Sequence, residues 1–120
     1  MKLTLLTILF GLAAGLLGAL CGVGGGILMV PAFVGLLGHH HKQAVATSLA
    51  VIIITAIAAT ANNARSPGMI DWKTAIIAAI ASAVAAWFGS DLMRSLSNPV
   101  LTRIFGCLLL AFGARMLWKG

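Results

Sequence analysis

Long uncharged hydrophobic runs, separated by short polar segments, organise the chain. The first run covers residues 3–38 without a charged side chain. At about 1.5 Å per helical residue it would form a rod of more than about 50 Å, whereas a bilayer core of about 30 Å needs only about 20 residues. Four glycines within residues 22–26 mark the point where this run must break, since each costs about 1 kcal/mol inside a helix. The pattern therefore predicts one helix over residues 3–20 and a shorter one over residues 25–37.

The second predicted helix is too short for an upright crossing. It reaches only about 20 Å, and Pro31 lies inside it, where proline kinks a helix. This piece is therefore either a short, tilted crossing or a re-entrant segment. A cleaved signal peptide is the alternative for the start of the chain. It is disfavoured because the apolar run continues through the glycines and further apolar segments follow.

Three later segments have the length and composition of membrane spans: residues 43–64, 72–90 and 99–118. Asp71 is predicted to cap the second of these helices, with Thr74 three positions on. Asn98 is predicted to cap the third, with Pro99 at its first helical position. The sequence thus predicts an all-α integral membrane protein of four or five transmembrane helices, forming one domain over residues 1–120.

Composition excludes several other classes of protein. Hydrophobic residues make up 61% of the chain and charged residues 8%, against roughly 25% charged in soluble domains. The net charge of +6 comes from basic residues placed singly at the ends of apolar runs, which is typical of headgroup anchors and not of a nucleic-acid surface. No Asp or Glu lies in the middle of a span, which disfavours both a hydrolase and a proton-swapping cation exporter. We expect no enzyme activity, no cofactor and no metal.

The predicted break is the strongest candidate for binding chemistry. In lipid, broken backbone is tolerated only where protein or a water-filled cavity satisfies it. Free amides at the start of the second helix, together with the positive end of its dipole, can bind an anion. The alternative is a flexible kink or a tight helix contact without a ligand. The amides would come from Gly22, Gly24, Gly25 and Gly26.

Further candidates lie on the helix that follows. Thr47 and Ser48, near its start, can donate their hydroxyls to an anion; alternatively, each bonds back to the preceding turn of its own helix. Asn62, Asn63 and Arg65 end this helix and are accessory candidates, although Arg65 is more typical of an interfacial anchor.

Histidine and cysteine give weaker signals. The three consecutive histidines at positions 39–41 cannot share one helical face, and they are interpreted as a solvated polar turn. Metal binding or a proton relay is the alternative. Cys21 and Cys107 lack metal-ligand spacing and are interpreted as small buried residues.

Charge and small residues bear on assembly. If the first run crosses out and back, four basic residues lie on each side of the membrane, and a re-entrant second piece makes the count three against five. Such a weak bias allows insertion in both orientations and an antiparallel pair, which would reproduce an inverted-repeat transporter. Glycine and alanine at four-residue spacing, as in Gly11, Gly15 and Ala19, allow close helix packing within one copy or between two.

Several of these motifs occur together, in order, in one known family. The glycine segment that ends at Pro31, the Ala-Val-Ala-Thr-Ser-Leu stretch at residues 44–49 and the Ile-Asp-Trp at residues 70–72 resemble the TauE/SafE family of sulfite exporter-like membrane transporters. Family members usually have about twice this length, in two related halves, so the chain resembles a half-length, single-repeat member. The resemblance implies transport of small sulfur-containing or organic anions, such as sulfite, thiosulfate or sulfoacetate.

The sequence and the resemblance together predict an anion transporter of the cell inner (plasma) membrane that works as a homodimer. Alternating access would occur around the glycine break, with Pro31 as hinge. The rival interpretations are a small dimeric passive anion channel and a non-transporting assembly subunit.

Overall fold

The computed structural model describes all 120 residues and contains five helices and no strands. Four of them are long and apolar enough to cross a membrane, and the second is a short apolar helix. This confirms the predicted all-α architecture with a glycine-broken first hairpin. The helices are α1 (Lys2–Cys21), α2 (Gly26–Gly35), α3 (His41–Asn63), α4 (Trp72–Ser95) and α5 (Asn98–Lys119).

The predicted and observed bounds of α2 and α4 differ for local reasons. Helix α2 starts one residue late and ends two residues early, and Gly25 before it has a left-handed backbone that cannot continue a helix. Helix α4 runs past residue 90 to Ser95, through an exposed ion pair in which Arg94 Nη2 lies 3.4 Å from Asp91 Oδ1. Opposite charges three residues apart lie next to each other on a helix surface, so this pair is compatible with a helix that continues past residue 90.

One predicted cap is confirmed and one is wrong. The Asp71 carboxylate accepts a hydrogen bond from the backbone N–H of Thr74 at 3.2 Å, and also from the Thr74 hydroxyl. These two bonds, the hydroxyl first, hold the pKa of Asp71 below its usual value. The residue before α5 is Ser97, whereas Asn98 is already helical. The Asn98 side chain accepts from the backbone N–H of Lys42 on α3 at 3.3 Å, so a tertiary contact replaces the cap.

The small core lies where α1, α2 and α3 meet. Its members are apolar side chains from all three helices: Ala14, Met29, Val30, Phe33 and Ala44. Helices α4 and α5 contain no buried residue, and most of their large apolar side chains are exposed, although Phe105 of α5 packs against the core. Exposing so much apolar surface to water is unfavourable, so lipid or another protein chain must cover it. Cys21 and Cys107 also lie on outward faces, so their prediction as buried residues is wrong.

A polar junction links the start of α3 to α4 and α5. His41, which is 6% exposed, lies with Nδ1 3.2 Å from the Thr102 hydroxyl and its ring edge-on to Phe105. The Lys42 ammonium donates to the Arg94 carbonyl at 2.9 Å. The histidine stretch is therefore not a solvated turn throughout, because its last member is the buried first residue of α3. The structure contains no cluster of side chains suited to a metal ion.

Candidate functional site at the glycine break

The break between α1 and α2 is built on glycine backbone conformations. Gly22, Gly24 and Gly25 have φ angles of 69°, 69° and 81°. A left-handed conformation costs other residues roughly 1–2 kcal/mol each, whereas glycine adopts it freely. The chain can therefore leave α1 and enter α2 within four residues, as the glycine cluster predicts.

The amides of the break divide into two groups. The N–H groups of Gly22 and Val23 donate to the Gly18 carbonyl and close the end of α1. The amides of residues 24–27 donate to no backbone carbonyl. They include the first amides of α2, where the partial positive charge of the helix dipole is concentrated. The break thus carries electropositive backbone without a cationic side chain.

Part of the break is packed tightly against α1. A Cβ atom on Gly18 would lie 2.9 Å from the Gly24 carbonyl carbon and closer still to the Gly25 nitrogen. A Cβ atom on Gly25 would lie 2.7 Å from the Ala14 carbonyl oxygen. Gly18 and Gly25 are both buried. The tight helix contact that the sequence offered as an alternative to a ligand site is thus present at these two positions.

The rest of the break faces a cavity of about 190 Å³ between α1 and α3. Its walls are small residues of the first hairpin and a mixed face of α3: Gly15, Gly18, Ala19, Gly22, Gly24, Thr55, Ala56, Ala59, Thr60 and Asn63. The Thr55 hydroxyl donates to the Ile52 carbonyl at 3.1 Å. Thr60 and Asn63 are exposed, and their side chains make no hydrogen bond within the chain.

The predicted site residues therefore do not all meet at one place. Gly22, Gly24 and Asn63 line the cavity, while Gly25 is packed under α1. The Ser48 hydroxyl is buried and donates to the Val45 carbonyl at 2.8 Å, which is the back-bonded arrangement of the alternative interpretation.

The remaining candidates lie outside the cavity walls, although some are close to them. Gly26 faces the side chain of Ile52. Thr47 is half-buried on α3, and Pro31 is an exposed residue within α2. Asn62 and Arg65 are exposed at the end of α3.

Two cavity residues, Thr55 and Thr60, were not among the predicted site residues. Residues 55, 59 and 63 follow four-residue spacing, and residues 56 and 60 lie on the same side of the helix. This face combines small and polar side chains on an otherwise apolar helix. That pattern could have identified the wall, since the facing surface of α1 also consists of small residues.

Comparisons with known proteins place this architecture among membrane proteins. The chain is 33% identical over 110 residues to a Bacillus subtilis protein named "Probable membrane transporter protein YunE", covering 88% of this chain and 38% of that protein. It is 33% identical over 112 residues to "Probable membrane transporter protein MJ0441" of Methanocaldococcus jannaschii, covering 88% and 42%. The chain therefore spans well under half the length of these two relatives. No solved structure matches it significantly.

The family comparison covers nearly all of the described structure. The family described as "Sulfite exporter TauE/SafE" matches residues 7–120. This range contains the glycine break, the α3 wall of the cavity and all four later helices. With its four long apolar helices and this match, the chain is a multi-pass integral membrane protein that belongs to the TauE/SafE family.

Proposed function

We propose that this protein transports a small anion across the cell membrane and binds it in the cavity beside the glycine break. The expected substrates are small sulfur-containing or organic anions of the sulfite, thiosulfate or sulfoacetate type. The observation that carries the proposal is the cavity itself, which joins free amides of the break to the unpaired donors of Thr60 and Asn63. Family membership and the names of the relatives support a transporter.

The chemistry of the cavity suits an anion better than a cation. No carboxylate lines it, so a cation would have only carbonyl and hydroxyl oxygens for support. An anion can accept from the Gly24 amide, the Thr60 hydroxyl and the Asn63 amide. Such preformed donors interact more strongly with charge the less water reaches the cavity.

The depth of the break supports transport rather than surface binding. Gly24 and Gly26 pack against Ile52, and Ile52 is the middle residue of α3. If α3 crosses the bilayer, the break lies near the middle of the membrane. Discontinuous helices with exposed termini at that depth are the usual binding elements of secondary transporters. In this proposal Pro31 and the glycines supply the flexible joint for alternating access.

The Gly15→Leu variant tests the site without straining the backbone. Gly15 lines the cavity, and a Cβ atom there would meet nothing within 4 Å, so a leucine can occupy the space intended for the ligand. We expect radiolabelled sulfite flux into proteoliposomes to fall by about tenfold or more. The leucine would displace the ligand, and a loss of about 1.4 kcal/mol of binding free energy already lowers affinity tenfold.

The matched control is Gly11→Leu, one helical turn earlier on α1. A Cβ atom at Gly11 also meets nothing within 4 Å, and Gly11 does not line the cavity. We expect its flux to equal that of the wild type. Equal flux in both variants would contradict this site. Flux that never saturates with substrate would favour the passive channel over the transporter.

We propose further that the working unit is a homodimer, which can be antiparallel. Most of the large apolar side chains of α4 are exposed, among them Ile76, Ile80 and Phe88. A second copy would cover such a face. Light scattering of the detergent-solubilised protein should give the mass of a dimer. A monomer that retains full flux after reconstitution at one copy per liposome would contradict this assembly.

A further inference from the structure

A second cleft, of about 320 Å³, lies between α3, α4 and α5. It runs inward from the end of the bundle where α3 begins, α4 ends and α5 begins. His41 lies at this end, whereas Leu49, Ala86 and Leu108 lie about two helical turns deeper. If these helices cross the bilayer, the cleft has a buried histidine at the membrane surface and an apolar interior. A phospholipid presents its headgroup and its acyl chain in the same order.

We propose that this cleft binds an acyl chain of an anionic phospholipid, and that the headgroup is recognised through hydroxyl groups and phosphate, as in phosphatidylglycerol. The site is separate from the cavity beside the glycine break, and the proposal does not depend on transport.

Small residues on α4 give the cleft room for a chain. Ala86 and Gly89 line it, and a Cβ atom at Gly89 would meet nothing within 4 Å. On the opposite walls Leu49 and Leu108 are half exposed, so no other helix of the chain closes the cleft. An acyl chain can fill such a groove through van der Waals contacts. Lipid tails are alike in polarity, so selection among lipids has to come from the headgroup.

The hydrogen bonds of Thr102 decide the role of the His41 ring. The Thr102 hydroxyl donates its single proton to the Asn98 carbonyl at 3.0 Å. His41 Nδ1, which lies 3.2 Å from the same hydroxyl oxygen, must therefore be the donor in the second bond. Nε2 of the neutral ring is then an acceptor, and it has no hydrogen-bond partner in the chain. A donor on a ligand in the cleft would satisfy it.

This acceptor can be reached from the cleft. His39 Nδ1 is the one enclosed side-chain polar atom of the protein that lacks a partner. Nε2 of His41 is therefore not sealed inside the protein, although the residue as a whole is buried. Because His41 lines the cleft, a headgroup hydroxyl at its mouth can donate to Nε2.

Lys42, next to His41, supplies positive charge for a phosphate. Its ammonium group has three donors, of which one is used for the Arg94 carbonyl at 2.9 Å. Arg94 and Asp91 lie 3.4 Å apart and offset each other, so Lys42 leaves this junction with net positive charge. Basic groups at the membrane surface favour anionic lipid headgroups.

These two groups predict an order among lipids. Phosphatidylglycerol offers both a phosphate and hydroxyl donors. Phosphatidylethanolamine also has donors, but they belong to an ammonium group that the Lys42 charge repels. Phosphatidylcholine has no headgroup donor for the His41 acceptor. Binding should therefore be strongest for phosphatidylglycerol and weakest for phosphatidylcholine.

Titration of the purified, delipidated protein with these three lipids in neutral detergent tests the site. Thermal unfolding and the lipid retained in native mass spectrometry are both measured. For the wild type we expect the apparent affinity for phosphatidylglycerol to exceed that for phosphatidylcholine by about tenfold or more.

Two variants with matched controls locate the site. Lys42→Gln removes the charge at the cleft, and Lys73→Gln removes one from an exposed residue at the other end of α4. Gly89→Leu fills the cleft. Gly113→Leu adds the same side chain to an exposed residue of α5 outside the cleft, where a Cβ atom also meets nothing within 4 Å. We expect Lys42→Gln and Gly89→Leu to weaken phosphatidylglycerol binding severalfold, and both controls to keep the wild-type affinity.

Three results would overturn the proposal. The first is equal affinity of the wild type for phosphatidylglycerol and phosphatidylcholine. The second is the same loss in a variant and in its control, which would indicate a general effect of charge or side-chain size. The third is a Gly89→Leu protein that changes from dimer to monomer and still binds phosphatidylglycerol, since the cleft would then belong to a second copy.

Discussion

Gly18→Ala is expected to destabilise the protein by about 3 kcal/mol, the upper part of the range for inserting an atom into a packed interior. The new methyl group would lie 2.9 Å from the Gly24 carbonyl carbon and nearer to the Gly25 nitrogen. These neighbours are backbone atoms, which cannot rotate away as a flexible side chain can. The clash can be relieved only if α1 moves away from the break. The midpoint of thermal or denaturant unfolding in detergent measures the effect.

The control for this variant is Gly11→Ala on the same helix. A Cβ atom at Gly11 meets nothing within 4 Å, so only helix propensity changes. This favours alanine by roughly 1 kcal/mol in a helix interior. Gly11→Ala should therefore be neutral or slightly stabilising. If the two variants unfold alike, the close approach of α1 to the break does not exist in the folded protein.

The architecture could be predicted from the sequence because it depends mainly on the lengths of the apolar runs and on residues close together along the chain. The first apolar run exceeds the thickness of a bilayer, and only residues 22–26 offer a place for it to break. The structure breaks there. The Asp71 cap could also be predicted, since its partner Thr74 lies within the same turn and no other element intervenes. Such features depend on neighbours along the chain.

The features that could not be predicted depend on contacts between helices. Asn98 has the sequence signature of a cap, but its side chain instead accepts a hydrogen bond from the backbone N–H of Lys42 on α3. Thr60 carries one of several hydroxyl groups on a long apolar helix. It lines a cavity only because α1 packs opposite it, which the sequence of α3 does not reveal. Hydrophobic periodicity reports which residues avoid water; it does not report which helix covers them.

The glycine cluster shows the same limit within a single motif. By sequence, all four glycines are equivalent sources of free amides. In the structure, Gly22 and Gly24 line the cavity, whereas Gly25 is packed beneath the Ala14 carbonyl. The direction in which the chain leaves α1 decides which glycine lines the cavity and which one packs against α1. A substitution in this cluster therefore tests folding at one position and ligand binding at another.

Gly25→Ala is expected to have the largest effect of any single methyl group added to this chain, about 4 kcal/mol. Two costs add at this position. The φ angle of 81° strains an alanine by roughly 1–2 kcal/mol. In addition, the new Cβ atom would lie 2.7 Å from the Ala14 carbonyl oxygen, and such overpacking typically costs about 1–3 kcal/mol. Unfolding in detergent, and the yield of monodisperse protein, measure the loss.

Gly22→Ala separates these two costs. Its φ of 69° is nearly as strained, but a Cβ atom there meets nothing within 4 Å, so only the conformational cost of about 1–2 kcal/mol remains. A loss in Gly25→Ala no larger than in Gly22→Ala would show that the Ala14 contact is absent. A Cβ atom at Gly18 would meet the peptide that joins Gly24 to Gly25, so the two sites share a contact and the double variant should lose less than the sum of the two single losses. For this reason, loss of flux in a bulky Gly25 variant would report a damaged fold. The proposed ligand site has to be tested at Gly15, where the added side chain enters empty space.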